Sequence, residues 1–280
     1  MTSEQPKHDG SGSFAACDAS YLRNSQYGTP EKLNARIRLH AKIGTSKVSW
    51  FEWLCSQIEW STANDALEVG CGTGILWTAL TSTVSERFRV VLTDLSPAMV
   101  ETSLNRARRH LENVTGVEAD VQKLPFENVS FDLVIANQML YHVPDPALAL
   151  AEIRRVLRPG GTLVASTVGP DHLRELFEVE TAVFGASRKR SYVDVFGSIN
   201  GRGLLEKDFE DVEWRQFDDA LHCTNIDDVV AYFVTVPPGG LATQEELGRL
   251  RVEVEHRMEE CGGMLMVTKD SGLFLARRTR

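Results

Sequence analysis

Cysteine is scarce in this 280-residue chain: Cys17, Cys55, Cys71, Cys223 and Cys261 are odd in number, widely spaced and without a C-x-x-C pair. That argues against a disulfide framework and a zinc spacing, so a reducing compartment and no metal site are expected. Long apolar runs are missing too. None approaches the ~18 residues that cross a bilayer, and MTSEQPKHDGSGSFAACDAS at the start lacks the apolar core of a signal peptide. A soluble, cytoplasmic protein with no membrane partner is expected. Basic charge is in deficit, 30 Lys and Arg against 39 Asp and Glu for a net charge of −9, which makes nucleic acid a poor partner. The deficit is local, because Glu206 to Asp228 alone carries nine acidic and two basic residues. What is present, 42% apolar and 25% charged residues, excludes disorder, collagen and coiled coil and fits a globular domain with an added cap.

The first 20 or so residues are polar and rich in Gly and Ser, with little to bury. Thr29-Pro30-Glu31 then predicts a helix over 30–43, with Thr29 as cap and Pro30 at its first position. Trp50, Trp53, Leu54 and Ile58 share one face of a second helix over Lys47–Ile58. From Ala66 short apolar runs alternate with amphipathic helices, predicting strands at Ala66–Val69, Arg89–Thr93, Val117–Ala119, Phe131–Ala136 and Thr162–Ser166. Ser96-Pro97 opens one intervening helix, and another runs from Pro146 to Leu157. Such alternation predicts an α/β, Rossmann-like, doubly wound sheet. Beyond Thr167 the pattern breaks into a helix near 171–184, a Gly-rich stretch, the acidic segment and a long helix over Gln244–Glu260. Met264–Thr268 and Leu273–Ala276 read as a closing hairpin around Lys269-Asp270-Ser271-Gly272. The expected division is a helical cap over 1–64, a core over 65–167, a substrate cap over 168–240, and a long helix with a sheet-completing hairpin over 241–280.

The first strand runs into Glu68-Val69-Gly70-Cys71-Gly72-Thr73-Gly74. Glycines at a strand's carboxyl end let a ligand approach the backbone. A dinucleotide fingerprint needs Gly or Ala at position 75, which is Ile75, so the nicotinamide pattern is not met. Asp94 ends the second strand, where an acidic side chain accepts from both hydroxyls of an adenosine ribose. Asp120 ends the third, placed for an adenine amino group, and Asn137 the fourth, with Tyr141-His142 following. Singly, an acid ending a strand is more often a helix cap or turn residue; in this order at successive strand ends they point to one nucleoside site.

These segments, ALEVGCGTG (66–74), TDLSPAMVE (93–101), EADVQKLPF (118–126), FDLVIANQMLYHV (131–143) and LRPGGTLVAS (157–166), resemble the class I S-adenosylmethionine-dependent methyltransferases. The likeness is greatest to the branch with the ubiquinone and menaquinone C-methyltransferases and many small-molecule enzymes. It covers about 100 residues densely. It implies S-adenosylmethionine as cofactor, its methionine part held by Glu68 and the Gly70, Gly72, Gly74 loop and its ribose by Asp94. Leu95 and Met99 would lie near the adenine, Asp120 and the Val121 backbone at its edge, and the Asn137 carbonyl at the cofactor's ammonium. It also implies a sixth strand and an antiparallel seventh, which the closing hairpin would supply.

Methyl transfer from a sulfonium is an in-line displacement with an activated donor, so alignment and exclusion of water matter most. A phenol, enol or amine acceptor must also lose a proton, which makes His142 the candidate catalytic base. His142 reads alternatively as packing before Pro144. Arg36 and His40 share a face of the first helix, where Arg36 is a candidate for the cofactor carboxylate and Tyr21 for closing over the methyl group; a solvated face is the alternative. Trp50, within an aromatic cluster, Tyr141 and His222 are candidate acceptor contacts, against plain packing. The acidic segment reads as surface, or as a wall favouring an amine if it faces a cleft. The function expected is methylation of a small molecule, leaning to an indole, phenol or quinone of secondary metabolism. A tRNA or protein methyltransferase, with a basic groove, and a non-catalytic scaffold, with damaged motifs, are the alternatives. A homodimer is compatible with the pattern.

Overall fold

The computed structural model describes residues 30–80, 84–185, 191–236 and 238–279. Nine strands form around the expected pattern: β1 (Asp65–Val69), β2 (Arg89–Asp94), β3 (Asn113–Glu118), β4 (Phe131–Asn137), β5 (Leu157–Val168), β6 (Glu210–Phe217), β7 (Ala220–Cys223), β8 (Leu265–Thr268) and β9 (Ser271–Arg277). Seven build one sheet in the order β3-β2-β1-β4-β5-β9-β6, and β7 with β8 makes a separate ribbon. β1 to β5 are parallel neighbours, while β9 runs antiparallel to both β5 and β6. The doubly wound, mostly parallel sheet with one antiparallel strand agrees with the sequence expectation.

The period-two alternation of each strand divides the core between the two faces of the sheet. Leu67, Val69, Val134, Ala136, Leu163 and Ala165 fill one face, and Ala66, Leu133, Ile135 and Val164 the other. Both faces are covered, so the central strands read as continuous apolar runs.

Helices α1 (Glu31–Ile43), α2 (Trp50–Ser56), α3 (Pro97–Ala107) and α4 (Pro146–Val156) start where local chemistry directs. Ser96 accepts from Met99 N and Asp145 from Leu148 N, each followed by Pro at the first turn. α2 is shorter than expected, because Ser49 and Glu52 form a reciprocal capping box that starts it at Trp50. β3 begins four residues before its expected start at Val117. Gly116 interrupts its apolar signal, and it must be Gly: a Cβ there would stand 2.7 Å from Leu104 and Val100 of α3.

Two expectations are corrected. The residues around Lys269 do not form a hairpin, since β8 turns away to pair with β7 and only β9 enters the sheet. The sixth strand comes instead from the acidic segment. In β6 the apolar residues Val212, Trp214 and Phe217 sit among acids, and Trp214 packs 4.6 Å from Phe274. The acids remain on the exposed edge, where charge discourages further strand pairing.

Above the sheet's carboxyl edge stands a cap with its own apolar core. It combines α5 (Arg174–Phe184), α8 (Ile226–Phe233), α9 (Gln244–Glu260) and the β7–β8 ribbon, with Val179, Leu221, Phe233, Leu250, Val254 and Val267 buried between them. Two short helices, α6 (Ser191–Val195) and α7 (Gly201–Leu205), lead from α5 to β6. α1 lies against α8 and β7, tied by Arg36 Nη1 donating to Thr235 O (3.1 Å) and by a Lys42–Asp228 ion pair at 2.6 Å. No described helix is long and apolar enough to cross a membrane.

Candidate active site

The sheet's carboxyl edge and the cap enclose a cavity of about 700 Å³. Its floor is the glycine turn after β1. Gly70, Gly72 and Gly74 all take left-handed conformations, with φ of 64, 51 and 69°. At Gly74 no other residue fits, because a Cβ would stand 2.5 Å from Ser103 Oγ as well as being strained. Gly72 N donates to Asp94 Oδ2 (3.0 Å) and Ser96 N to Asp94 Oδ1 (2.9 Å), so Asp94 joins the glycine turn to the start of α3. Burial raises the Asp94 carboxyl above its ordinary value despite these bonds.

Glu68 is fully buried at the end of β1, with Trp77 Nε1 donating to its Oε2 at 2.6 Å. Burial pushes its pKa up to about 8, the Trp77 bond opposes the rise, and Asp94 adds to it. A carboxyl held in that state ionises readily once a cation is brought beside it. Asp120 accepts from Gln122 N (2.8 Å), which shapes the turn after β3, and it lines the cavity with Leu95 and Val121. Met99 does not: it is wholly buried under the first turn of α3, outside the cavity wall.

Asn137 meets its surroundings through its side chain, whose Oδ1 accepts from Trp50 Nε1 (3.1 Å) and Ser166 Oγ (2.7 Å). That bond fixes Trp50 in the wall, in ring contact with Phe217 at 5.4 Å. Tyr141 and His142 line the same wall with ring centroids 4.6 Å apart. Tyr141 donates to Gln138 Oε1 at 3.2 Å, and Gln138 itself has a left-handed backbone (φ 54°), an uncommon conformation for a side-chain-bearing residue.

From the cap, α1 contributes Arg36 and His40 to the cavity wall. The His40 pKa falls to about 3, chiefly through burial, with the Lys269 and Arg36 charges lowering it further and Asp219 acting against them. Its imidazole is therefore neutral at physiological pH. Tyr21 lies outside the described residues. His222 is a correction: it stands exposed on β7 and takes no part in the cavity, because its neighbours Leu221 and Cys223 are the residues that face the cap core. The sequence reading missed Gln138, His172, Phe177, Asp219, Tyr232, Lys269 and Ser271, all in the cavity wall. Gln138 stood in the motif at 131–143, His172 and Phe177 in the helix near 171–184 and Asp219 in the acidic segment, while turn-like composition concealed the role of Lys269 and Ser271.

Residues 67–165 match a family model described as a methyltransferase domain. The chain is 38% identical over 177 residues to a malonyl-acyl-carrier protein O-methyltransferase of Hahella chejuensis, covering 62% of this chain and 58% of that protein. It is 31% identical over 167 residues to a demethylmenaquinone methyltransferase of Staphylococcus haemolyticus, covering 60% and 65%. The chain thus spans less than two thirds of the length of these relatives. Among solved structures, a Haemonchus contortus phosphoethanolamine N-methyltransferase 2 in complex with S-adenosylhomocysteine shares the fold, with a TM-score of 0.57 at 19% identity over 95% of this chain and 60% of that one. The segment 67–165 is thus similar to methyltransferase domains, and the arrangement of the sheet agrees with that likeness.

Proposed function

We propose that the protein transfers the methyl group of S-adenosylmethionine to a compact small molecule, with an aromatic or heteroaromatic acceptor favoured. One observation carries the reading: Glu68, the glycine turn, Asp94, Asp120 and Asn137, from successive strand ends, line a single cavity under a cap. The donor set fits the cofactor. Carboxylates suit an ammonium and ribose hydroxyls, the glycine turn admits a ligand against the backbone, and Arg36 suits a carboxylate. A cavity of about 700 Å³ falls within the usual range of about 300–1,000 Å³ for ligand sites. Trp50, Tyr141 and Phe177 supply flat apolar walls, which favour an aromatic acceptor.

The bound cofactor supplies an activated methyl carbon, whose bond to sulfur breaks as its bond to the acceptor forms. The chain aligns the two partners, excludes water beneath the cap, and in this reading His142 takes the acceptor's proton. Calorimetry with S-adenosylhomocysteine tests the cofactor half: the wild type binds and Asp94→Ala does not. Failure of the wild type to bind either S-adenosylhomocysteine or the donor overturns the reading.

A further inference from the structure

The cap-side end of the cavity holds polar groups that the cofactor assignment leaves unused. Lys269 and Ser271 flank the crossing from β8 to β9, and both line the cavity. Between them, Asp270 turns its carboxylate elsewhere, accepting from Asp171 N (3.3 Å) and Gln216 Nε2 (3.4 Å). The Ser271 side chain is buried, 3% exposed, and its hydroxyl has no hydrogen-bond partner among the described residues. Such a group is costly unless something in the cavity meets it.

Lys269 is equally enclosed. Its side chain is 9% exposed, with Asp219 its ion-pair partner at 2.5 Å and the Phe217 ring 5.4 Å beneath the ammonium. An ammonium has three N–H donors, and Asp219 takes one through Oδ2. Asp219 Oδ1 accepts from Thr45 N (2.8 Å), Ser46 N (2.9 Å) and Ala220 N (2.9 Å), so backbone dipoles absorb much of its negative charge. The titratable and charged groups that face this end are the neutral His40 and the cofactor-assigned Arg36 from α1, Asp219 from the β6–β7 crossing, and Lys269. His172, beyond β5, completes the wall. With Asp219 engaged by three backbone donors and by one N–H of Lys269, the other two N–H donors of Lys269 have no partner among the described residues.

We propose that Lys269 Nζ and Ser271 Oγ form an oxyanion subsite that binds the methyl acceptor by an acidic oxygen, a phenol or enol held as its anion beside Trp50 and Phe177. This rests on the methyltransferase reading and deepens it. The acceptor is then held as its anion by the Lys269 charge, its proton passing by way of His142 to solvent, and reaction proceeds from the oxygen or from a ring carbon made electron-rich by it, which afterwards gives up its own proton to solvent. An acceptor carrying a fixed positive charge is disfavoured at the same place.

The test uses 4-nitrophenol, whose absorption reports its ionisation, added to the protein loaded with S-adenosylhomocysteine, with 4-nitroanisole as the probe lacking an ionisable oxygen. Bound 4-nitrophenol is expected to ionise at lower pH than in solution, by about one unit or more, and to bind at least tenfold more tightly than 4-nitroanisole. Ser271→Ala, which breaks no side-chain hydrogen bond among the described residues, weakens 4-nitrophenol binding about tenfold and leaves 4-nitroanisole unchanged. Lys269→Met combined with Asp219→Asn removes both charges together, so the fold is spared a lone buried ion, and it abolishes the change in ionisation. Equal binding of the two probes, no binding of 4-nitrophenol, or an unaltered spectrum in the wild type overturns the proposal. Calorimetry of S-adenosylhomocysteine on the same samples keeps the outcomes apart. If it binds while the phenol results fail, the subsite is wrong and the methyltransferase reading stands; if it does not bind, that reading falls first.

Discussion

Two desolvated titratable residues in the cavity wall, the buried Glu68 and the half-buried His40, pull stability in opposite directions with pH. Glu68 is raised from 4.5 to about 8, so between these values the folded state holds a proton that the unfolded chain releases, and stability falls as pH rises through that window. His40 is lowered from 6.5 to about 3, so the unfolded chain takes up a proton that the folded state refuses, and stability is lost as pH falls below 6.5. Denaturant titration of the ligand-free protein across pH 4 to 8 should show both limbs. Glu68→Gln flattens the alkaline limb and His40→Gln the acid one; an unchanged alkaline slope in Glu68→Gln would refute the assignment. Binding of S-adenosylmethionine should release a proton near pH 7, seen by calorimetry in buffers of different ionisation enthalpy. His142→Ala is expected to lower turnover ~100-fold if His142 is the base. Turnover close to wild type would move activation to the positive field of Lys269. At this scale Glu68, Asp94 and Asp120 were legible because each follows an apolar run at a strand end. His40 was noticed only as a helix-face residue, since its burial depends on a cap far away in the chain.

Among the elements, the glycine turn has the least tolerance. Gly74→Ala places a methyl against Ser103 Oγ and its backbone Cα in a left-handed conformation, and should cost about 1–3 kcal/mol together with most cofactor affinity. Thermal melting with and without S-adenosylhomocysteine measures both, and a wild-type melting temperature would contradict the close approach. α2 contributes through one bond: Trp50→Phe keeps the ring contact with Phe217 but loses the bond to Asn137 Oδ1, and should cost about 1 kcal/mol. The start of α3 was legible as a Ser-Pro pair, which carries its capping chemistry locally, and that of α4 at Pro146. β6 was not, because nine acids between 206 and 228 masked the spacing of Val212, Trp214 and Phe217. An edge strand needs only one apolar face, and charge on the other is a normal part of it.

Across the whole molecule, two chain crossings between the main sheet and the β7–β8 ribbon meet at the Asp219–Lys269 pair. Removing one partner leaves an uncompensated charge in a buried place, so Asp219→Ala should destabilise the protein by about 3–5 kcal/mol. The double replacement by neutral residues should recover most of that loss in denaturant unfolding. Equal stability of Asp219→Ala and wild type would show that the crossing is not held there. α1 has no buried residue of its own and faces the cavity with Leu33, Ile37 and Ala41. Its anchorage to the cap therefore depends on Arg36–Thr235, Lys42–Asp228 and whatever fills the cavity.

The sequence by itself determined the sheet from β1 to β5 and the strand-end half of the cavity, because strand alternation, helix capping and a glycine turn are all encoded within a few neighbouring residues. Only the tertiary structure decided the cap-facing half. Arg36 and Thr235 are 199 positions apart, and Asp219 and Lys269 are 50 apart, so what joins them is packing between layers. The same packing split an apparent hairpin between two sheets, turned His222 outward, and brought Lys269 and Ser271 to the wall. Burial and charge at such a wall depend on which distant segment lies opposite, a quantity that no local pattern contains.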